Sequence, residues 1–144
     1  MARSIDILMV EDSPSDAFLT REALKQAKES SRIHVVNDGV EAMEFLRREG
    51  AFAGAPRPDI ILLDLNMPRK DGREVLAEIK GDAKLKSIPV IVLTSSSAEQ
   101  DILHAYNLHA NCYITKPADF NRFKEVIKSI EMFWFGKVTL PPHD

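Results

Sequence analysis

Five short runs of nearly continuous apolar residues, each followed by a longer amphipathic stretch, constrain this chain more than any other feature. The runs are Ile5-Asp6-Ile7-Leu8-Met9-Val10, Ile33-His34-Val35-Val36, Ile60-Ile61-Leu62-Leu63, Ile88-Pro89-Val90-Ile91-Val92-Leu93 and Cys112-Tyr113-Ile114. Runs this short and this apolar read as strands buried on both faces, as parallel sheets require. Asp12-Ser13-Pro14 opens the first helix, with a capping side chain beside a proline that suits a first turn. Phe18, Leu19 and Leu24 supply that helix's apolar face up to about Ala27. Further helices are expected over about Val40 to Arg48, Arg73 to Lys80, Ala98 to Asn107 and Phe120 to Phe133. Asn37-Asp38-Gly39, the loop 54–58 and Lys70-Asp71-Gly72 are turn signals. The alternation is (βα)5, an α/β chain. Right-handed crossovers wind it into a doubly wound parallel sheet with helices on both faces.

The 144 residues suit one domain, expected over 1–136, with a short tail over 137–144. The formal charge of -3 and the absence of a Lys/Arg block give no reason to expect a nucleic-acid partner. Cys112 is the one cysteine, so neither an internal disulfide nor a zinc cluster is expected. Ile7–Val10 is too short for a signal peptide or a membrane span, which makes a cytoplasmic protein without a membrane partner the default expectation.

In a doubly wound fold, ligands bind at the carboxyl ends of the strands. Glu11 and Asp12 follow the first strand. Asp64 ends the third, with Asn66 two residues on. Thr94 ends the fourth, followed by Ser95, and Lys116-Pro117 follows the fifth. Each group alone has an ordinary reading as a turn, cap or loop residue; the conjunction at four strand ends is what points to a site.

Three carboxylates on one edge repel, at about 4 kcal/mol per pair at about 4 Å in a surface-like dielectric. Without a cation, one should take up a proton or the site should loosen. An all-oxygen donor set with room for water and phosphate suits Mg²⁺. Asp12 and Asp64 are expected as direct ligands, Glu11 as a ligand through water, and the backbone carbonyl of Asn66 as a further one. A carboxylate is also a competent nucleophile toward phosphorus. Lys116, the Thr94 hydroxyl and backbone N–H groups near Asn66 and Ser95 can cover the oxygens of a transferred phosphoryl group.

At these residues the sequence resembles the response-regulator receiver family (CheY-like), over nearly the whole chain. The likeness rests on Glu11-Asp12, on the segment from Ile60 through Asp64-Leu65-Asn66-Met67-Pro68 to Asp71-Gly72, on Val92-Leu93-Thr94 and on Tyr113-Ile114-Thr115-Lys116-Pro117. The resemblance implies the flavodoxin-like strand order 2-1-3-4-5. It implies phosphorylation of Asp64 by a histidine kinase's phosphohistidine, with Mg²⁺. It further implies a switch in which Thr94 moves toward the phosphoryl group while Tyr113 rotates inward, and a cis bond at Lys116-Pro117. The protein would be a phosphoacceptor that assists its own phosphorylation and dephosphorylation, not an enzyme. Arg73-Glu74-Val75-Leu76-Ala77-Glu78-Ile79-Lys80, Asn111-Cys112-Tyr113 and the ending Phe133-Trp134 to Val138-Thr139-Leu140-Pro141 are similar to the small regulators that serve cyanobacterial phytochromes.

A hydrolase of the haloacid dehalogenase type also uses a strand-end Asp, but it needs a second Asp two residues later as acid-base. Asn66 holds that place and cannot do the work. A phosphorylation-independent binding module would have no need of the full set. The stripe Phe120, Phe123, Ile127, Ile130 and Trp134 reads as core, with Val126, Phe133 and Phe135 widening the apolar surface. That surface and the tail suggest a homodimer through helix 4, strand 5, helix 5 and the tail; the alternative folds the tail over its own domain. The four histidines read as satisfied or solvated, and Cys112 as a small buried hydrophobe beside Tyr113. Ser95, Ser96 and Ser97 form a polar loop that reads either as a flexible connection or as a functional one, in which the small Ser95 leaves space for phosphate and Ser96 tunes water access. With no output domain after the fifth helix, a signal is expected to leave through a changed surface on helix 4, strand 5 and helix 5.

Overall fold

The computed structural model describes residues 4–25 and 31–143. Its strands are β1 (Ile5–Val10), β2 (Ser31–Val36), β3 (Ile60–Leu63), β4 (Val90–Thr94) and β5 (Cys112–Thr115). Its helices are α1 (Pro14–Lys25), α2 (Gly39–Arg47), α3 (Gly72–Gly81), α4 (Glu99–Asn107) and α5 (Phe120–Ile130), and a π-turn (Glu131–Phe135) prolongs α5. The strands form one parallel sheet in the order β2-β1-β3-β4-β5. The expected end of the first helix at Ala27 lies outside the described residues.

Period-two alternation sends successive strand side chains to opposite faces. Leu8, Val10, Ile61, Leu63, Val90 and Val92 pack against Ala42, Phe45, Val75, Ile79 and Ala105 of α2, α3 and α4. Ile5, Ile7, Met9, Ile60, Leu62, Ile91 and Leu93 pack against Ala23 and Leu24 of α1 and Phe123, Ile127 and Ile130 of α5. β1, β3 and β4 are buried throughout, as expected. β2 and β5 are largely half-exposed, because an edge strand has a neighbour on one side only.

Two expected core residues face solvent. Phe18 is 59% exposed and Phe120 56%. They line one groove with Leu19, Pro117 and Phe123 between α1 and α5, and the helices bury the small side chains Ala17 and Ala23 instead. Phe123, Ile127 and Ile130 are buried, Trp134 packs partly against them, and Phe133 stays out. Cys112 is half-buried on the α1 and α5 side of the sheet, whereas Tyr113 packs on the opposite side.

The tail folds back on its own domain. Leu140 packs against the α1 and α5 core, and His143 Nε2 lies 2.8 Å from Asp59 Oδ1 just before β3. His34 Nε2 lies 3.1 Å from Asp6 Oδ1, and His104 and His109 are exposed. The Lys116-Pro117 bond is trans, like every peptide bond among the described residues, so the cis bond implied by resemblance is absent. Trans is the lower-energy state of an X–Pro bond. No helix among the described residues is long and apolar enough to cross a membrane.

Candidate phosphoacceptor site

Strand pairing aligns the tips. Val10 pairs with Leu63 and Val36, Leu63 with Val92, and Thr94 with Thr115. The next residues continue the ladder: Glu11 N donates to Val36 O, Asp64 N to Val10 O and Lys116 N to Thr94 O. One sheet edge therefore carries Glu11, Asp12, Asp64, Thr94 and Lys116, which arrive from four strands.

Asp64 is buried and fully engaged. Its Oδ1 accepts from Thr94 Oγ1 at 2.8 Å and from Asn66 N at 3.1 Å, and its Oδ2 accepts from Lys116 Nζ at 3.0 Å. The loop that follows is held tightly. Gly72 N donates to Leu65 O, and a Cβ on Gly72 would sit 2.2 Å from Asp64 O, so glycine is required there. Arg69 takes a left-handed φ of 64° in this loop and reaches Asp38 at 3.3 Å. Asp71 then caps α3 by accepting from Arg73 N.

Lys116 Nζ sits among three carboxylates: Glu11 at 2.5 Å, Asp16 at 2.9 Å and Asp64 at 3.0 Å. Burial by itself lowers the ammonium's pKa, but the bonds from Asp16 and Glu11, with Asp64 beside them, outweigh it and the pKa rises. Glu11 is pushed up to about 7, chiefly by burial, with the Lys116 bond opposing. Burial thus favours the protonated form of Glu11.

Glu11, Asp12 and Asp64 each offer an oxygen within 4.8 Å of the others. Asp12 and Asn66 are exposed and open to solvent, whereas Glu11 is buried and also accepts from Ser13 N at 3.1 Å. A hard oxygen donor set of three carboxylates around an open side fits a divalent cation.

Tyr113 is half-buried, and its hydroxyl donates to Ser96 O at 2.8 Å. Ser95 is exposed beside Thr94. Asp16 was missed by sequence reasoning. Its signal was an acid in the first turn of a helix that starts at a strand tip.

The response regulator receiver domain family matches residues 7–128. Response regulator Rcp1 of Synechocystis sp. is 49% identical over 135 residues, 94% of this chain and 92% of that protein. A probable methanogenesis regulatory protein, FilR2 of Methanothrix harundinacea, is 40% identical over 90% of this chain and 83% of its own length. Among solved structures, the phosphorylated cyanobacterial phytochrome response regulator RcpA superposes with a TM-score of 0.95 at 52% identity, covering 97% of this chain and all (100%) of that one. The Mn²⁺-bound form of Rcp1 gives 0.93 at 48%, covering 96% and 99%. With its strand order, its ring of strand-tip carboxylates and these likenesses, the chain belongs to the response regulator receiver family.

Proposed function

We propose that this receiver accepts a phosphoryl group on Asp64 from the phosphohistidine of a histidine kinase, and that a cyanobacterial-type phytochrome is that kinase. The observation that carries this is the buried Asp64 carboxylate, held between Thr94 and Lys116 beside Glu11 and Asp12. A carboxylate oxygen of Asp64 attacks phosphorus, the P–N bond breaks, and its electron pair stays on the departing imidazole nitrogen, which takes a proton from solvent. The product is an acyl phosphate. Transfer of this kind needs positioning and charge neutralisation more than acid-base chemistry.

Asp12, Asp64 and the Asn66 carbonyl would hold Mg²⁺, with Glu11 contributing through water. When bound, such an ion would supply charge neutralisation for the phosphoryl oxygens. Lys116 and Thr94 then pass from carboxylate oxygens to phosphoryl oxygens. The neighbourhood of a Mn²⁺-bound relative and a phosphorylated one supports this reading. The exposed Phe18 and Phe120 beside Asp16 offer an apolar rim on which a donor protein can seat. Thr94 and Tyr113 act as the switch, and the weak net charge and single cysteine suit a cytoplasmic setting.

The apolar exposure of Leu103, Tyr106 and Phe133, and the groove of Ile114, Val126, Ile130 and Trp134, favour a homodimer through α4, β5 and α5. The tail's packing on its own core makes it a margin of that contact.

The test is transfer of labelled phosphate from a phosphorylated phytochrome kinase, with and without Mg²⁺. Label should reach the native chain, need the cation, and be lost in Asp64→Asn. Label retained in Asp64→Asn would overturn the assignment. Sedimentation at several concentrations reads the dimer, and a monomer throughout would end it.

A further inference from the structure

The loop between β4 and α4 is tied to α3 by a chain of polar contacts that avoids the carboxylate cluster. Arg73, in the first turn of α3, spreads its guanidinium over two acids. Nη1 donates to Asp71 at 3.1 and 3.2 Å, and Nη2 donates to Asp101 Oδ1 at 2.9 Å. Asp101 lies in the first turn of α4, and its other oxygen accepts from Ser96 Oγ at 2.6 Å. The same Ser96 presents its carbonyl to the Tyr113 hydroxyl, and its Oγ also accepts from Ala98 N at 3.3 Å. Tyr113 N donates in turn to Tyr106 Oη on α4 at 3.2 Å. The Arg73 and Asp101 side chains are 24% and 28% exposed, so the pair is partly shielded from water and salt.

α4 has no capping side chain at its N-terminus; Ala98 stands there. The start of α4 is therefore held by Asp101 rather than by a cap of its own. A planar guanidinium that bridges two carboxylates fixes direction as well as distance, which a lysine does not. The bonds also fix the pKa directions. Burial lowers Arg73, but the bonds from Asp101 and Asp71 prevail and raise it; the bonds from Ser96 and Arg73 lower Asp101.

We propose that Arg73 and Asp101 are positioning residues that latch the β4–α4 loop onto α3 and present the Ser96 carbonyl to Tyr113, so that the inward tyrosine is already favoured before Asp64 is phosphorylated. The latch is anchored beside the phosphoacceptor, because Asp71 and Gly72 close the loop that begins at Asp64. Phosphorylation then acts on an equilibrium that this ion pair has biased. The consequence for signalling rests on the switch role given above to Thr94 and Tyr113; the latch itself is a property of the unphosphorylated chain.

The experiment compares the unphosphorylated native chain with Arg73→Ala, Asp101→Asn and the double variant. Amide exchange over residues 95–99 and nitration of Tyr113 are both resolved by peptide mass spectrometry. Each single variant should speed exchange in that loop and nitration of Tyr113 at least severalfold, with β1 amides unchanged as the folding control. The double variant should add nothing beyond either single one, because each removes the same tether. Arg73→Lys should restore the native values only in part. Unchanged exchange and nitration in both single variants, or strictly additive effects in the double, would overturn the latch. Phosphotransfer to Asp64 is scored separately on the same proteins. A chain that keeps the latch pattern but takes no label would refute the phosphoacceptor reading alone.

Discussion

The hydroxyl of Thr94 donates to Oδ1 of Asp64 across 2.8 Å, in a buried bond between residues 30 apart in sequence. The threonine is thus already in contact with the carboxylate proposed to accept the phosphoryl group, at the tip of the neighbouring strand. Only a short hand-over is needed for the same hydroxyl to reach a phosphoryl oxygen. Thr94→Val keeps the shape and removes the donor. It should cost about 1 kcal/mol of stability, the ordinary net worth of such a bond. Chemical denaturation reads this cost. The phosphorylated variant should also leave Tyr113 more accessible to nitration than the phosphorylated native chain.

The Lys116 side chain is 6% exposed and is the counter-ion of Glu11, Asp16 and Asp64 at once. Lys116→Met leaves those acids facing one another without it. Breaking a buried pair from one side costs about 3–5 kcal/mol, so the cation-free variant should unfold at much lower denaturant than the native chain. Mg²⁺ should narrow that gap, and low pH should narrow it too. Phosphotransfer should fall by roughly a hundredfold or more, on the scale of removing a preorganised oxyanion donor. Equal denaturation midpoints with and without Lys116 would contradict the clustered geometry.

Burial holds Glu11 up to about 7 in the folded, cation-free protein, against an ordinary value of 4.5. The folded state therefore binds the proton more tightly than the unfolded chain does. Its contribution favours folding at low pH, is lost as pH rises from about 4.5 through about 7, and changes no further above that. Cation-free protein should lose part of its stability over that window, and Glu11→Gln should flatten the loss. Binding of Mg²⁺ near pH 6 should release a proton, visible as a buffer-dependent heat in calorimetry.

Gly72 offers a separate check on the loop that carries Asp64. A methyl there would meet Asp64 O at 2.2 Å and Leu65 Cα at 2.7 Å, both backbone atoms that cannot swing away. Gly72→Ala should lower stability by about 1–3 kcal/mol, the usual range for overpacking. It should also slow phosphotransfer by displacing Asp64, whereas Gly81→Ala, with open space around the Cβ, should do neither.

Much of this site could be read from the chain. β1 and β3 were placed to the residue, and β4 ran from Val90 rather than Ile88 because Pro89 supplies no N–H to the ladder. Glu11, Asp12, Asp64, Thr94 and Lys116 were all legible as strand-tip residues, since a parallel sheet brings every carboxyl end to one edge. Phe18 and Phe120 were misjudged, because helical spacing marks an apolar face without saying how wide a stripe the sheet will cover. Asp16 offered only an acid in the first turn of a helix at a strand tip, and the bridge from Arg73 through Asp101 to Ser96 gave no signal.

The order of apolar runs and their polar tips, taken alone, determined the layered sheet, the edge that gathers the polar tips, and Asp64 as the proposed nucleophile. Tertiary packing decided which carboxylates share the ammonium and which hydroxyl the Asp64 oxygen accepts. It also decided that the Tyr113 hydroxyl ends on the Ser96 carbonyl. Local periodicity is encoded in neighbours along the chain, whereas Lys116 meets Asp16 across 100 residues and Arg73 meets Asp101 across 28. Such pairings exist only once the helices have docked on the sheet at fixed angles, and no window of sequence contains both partners.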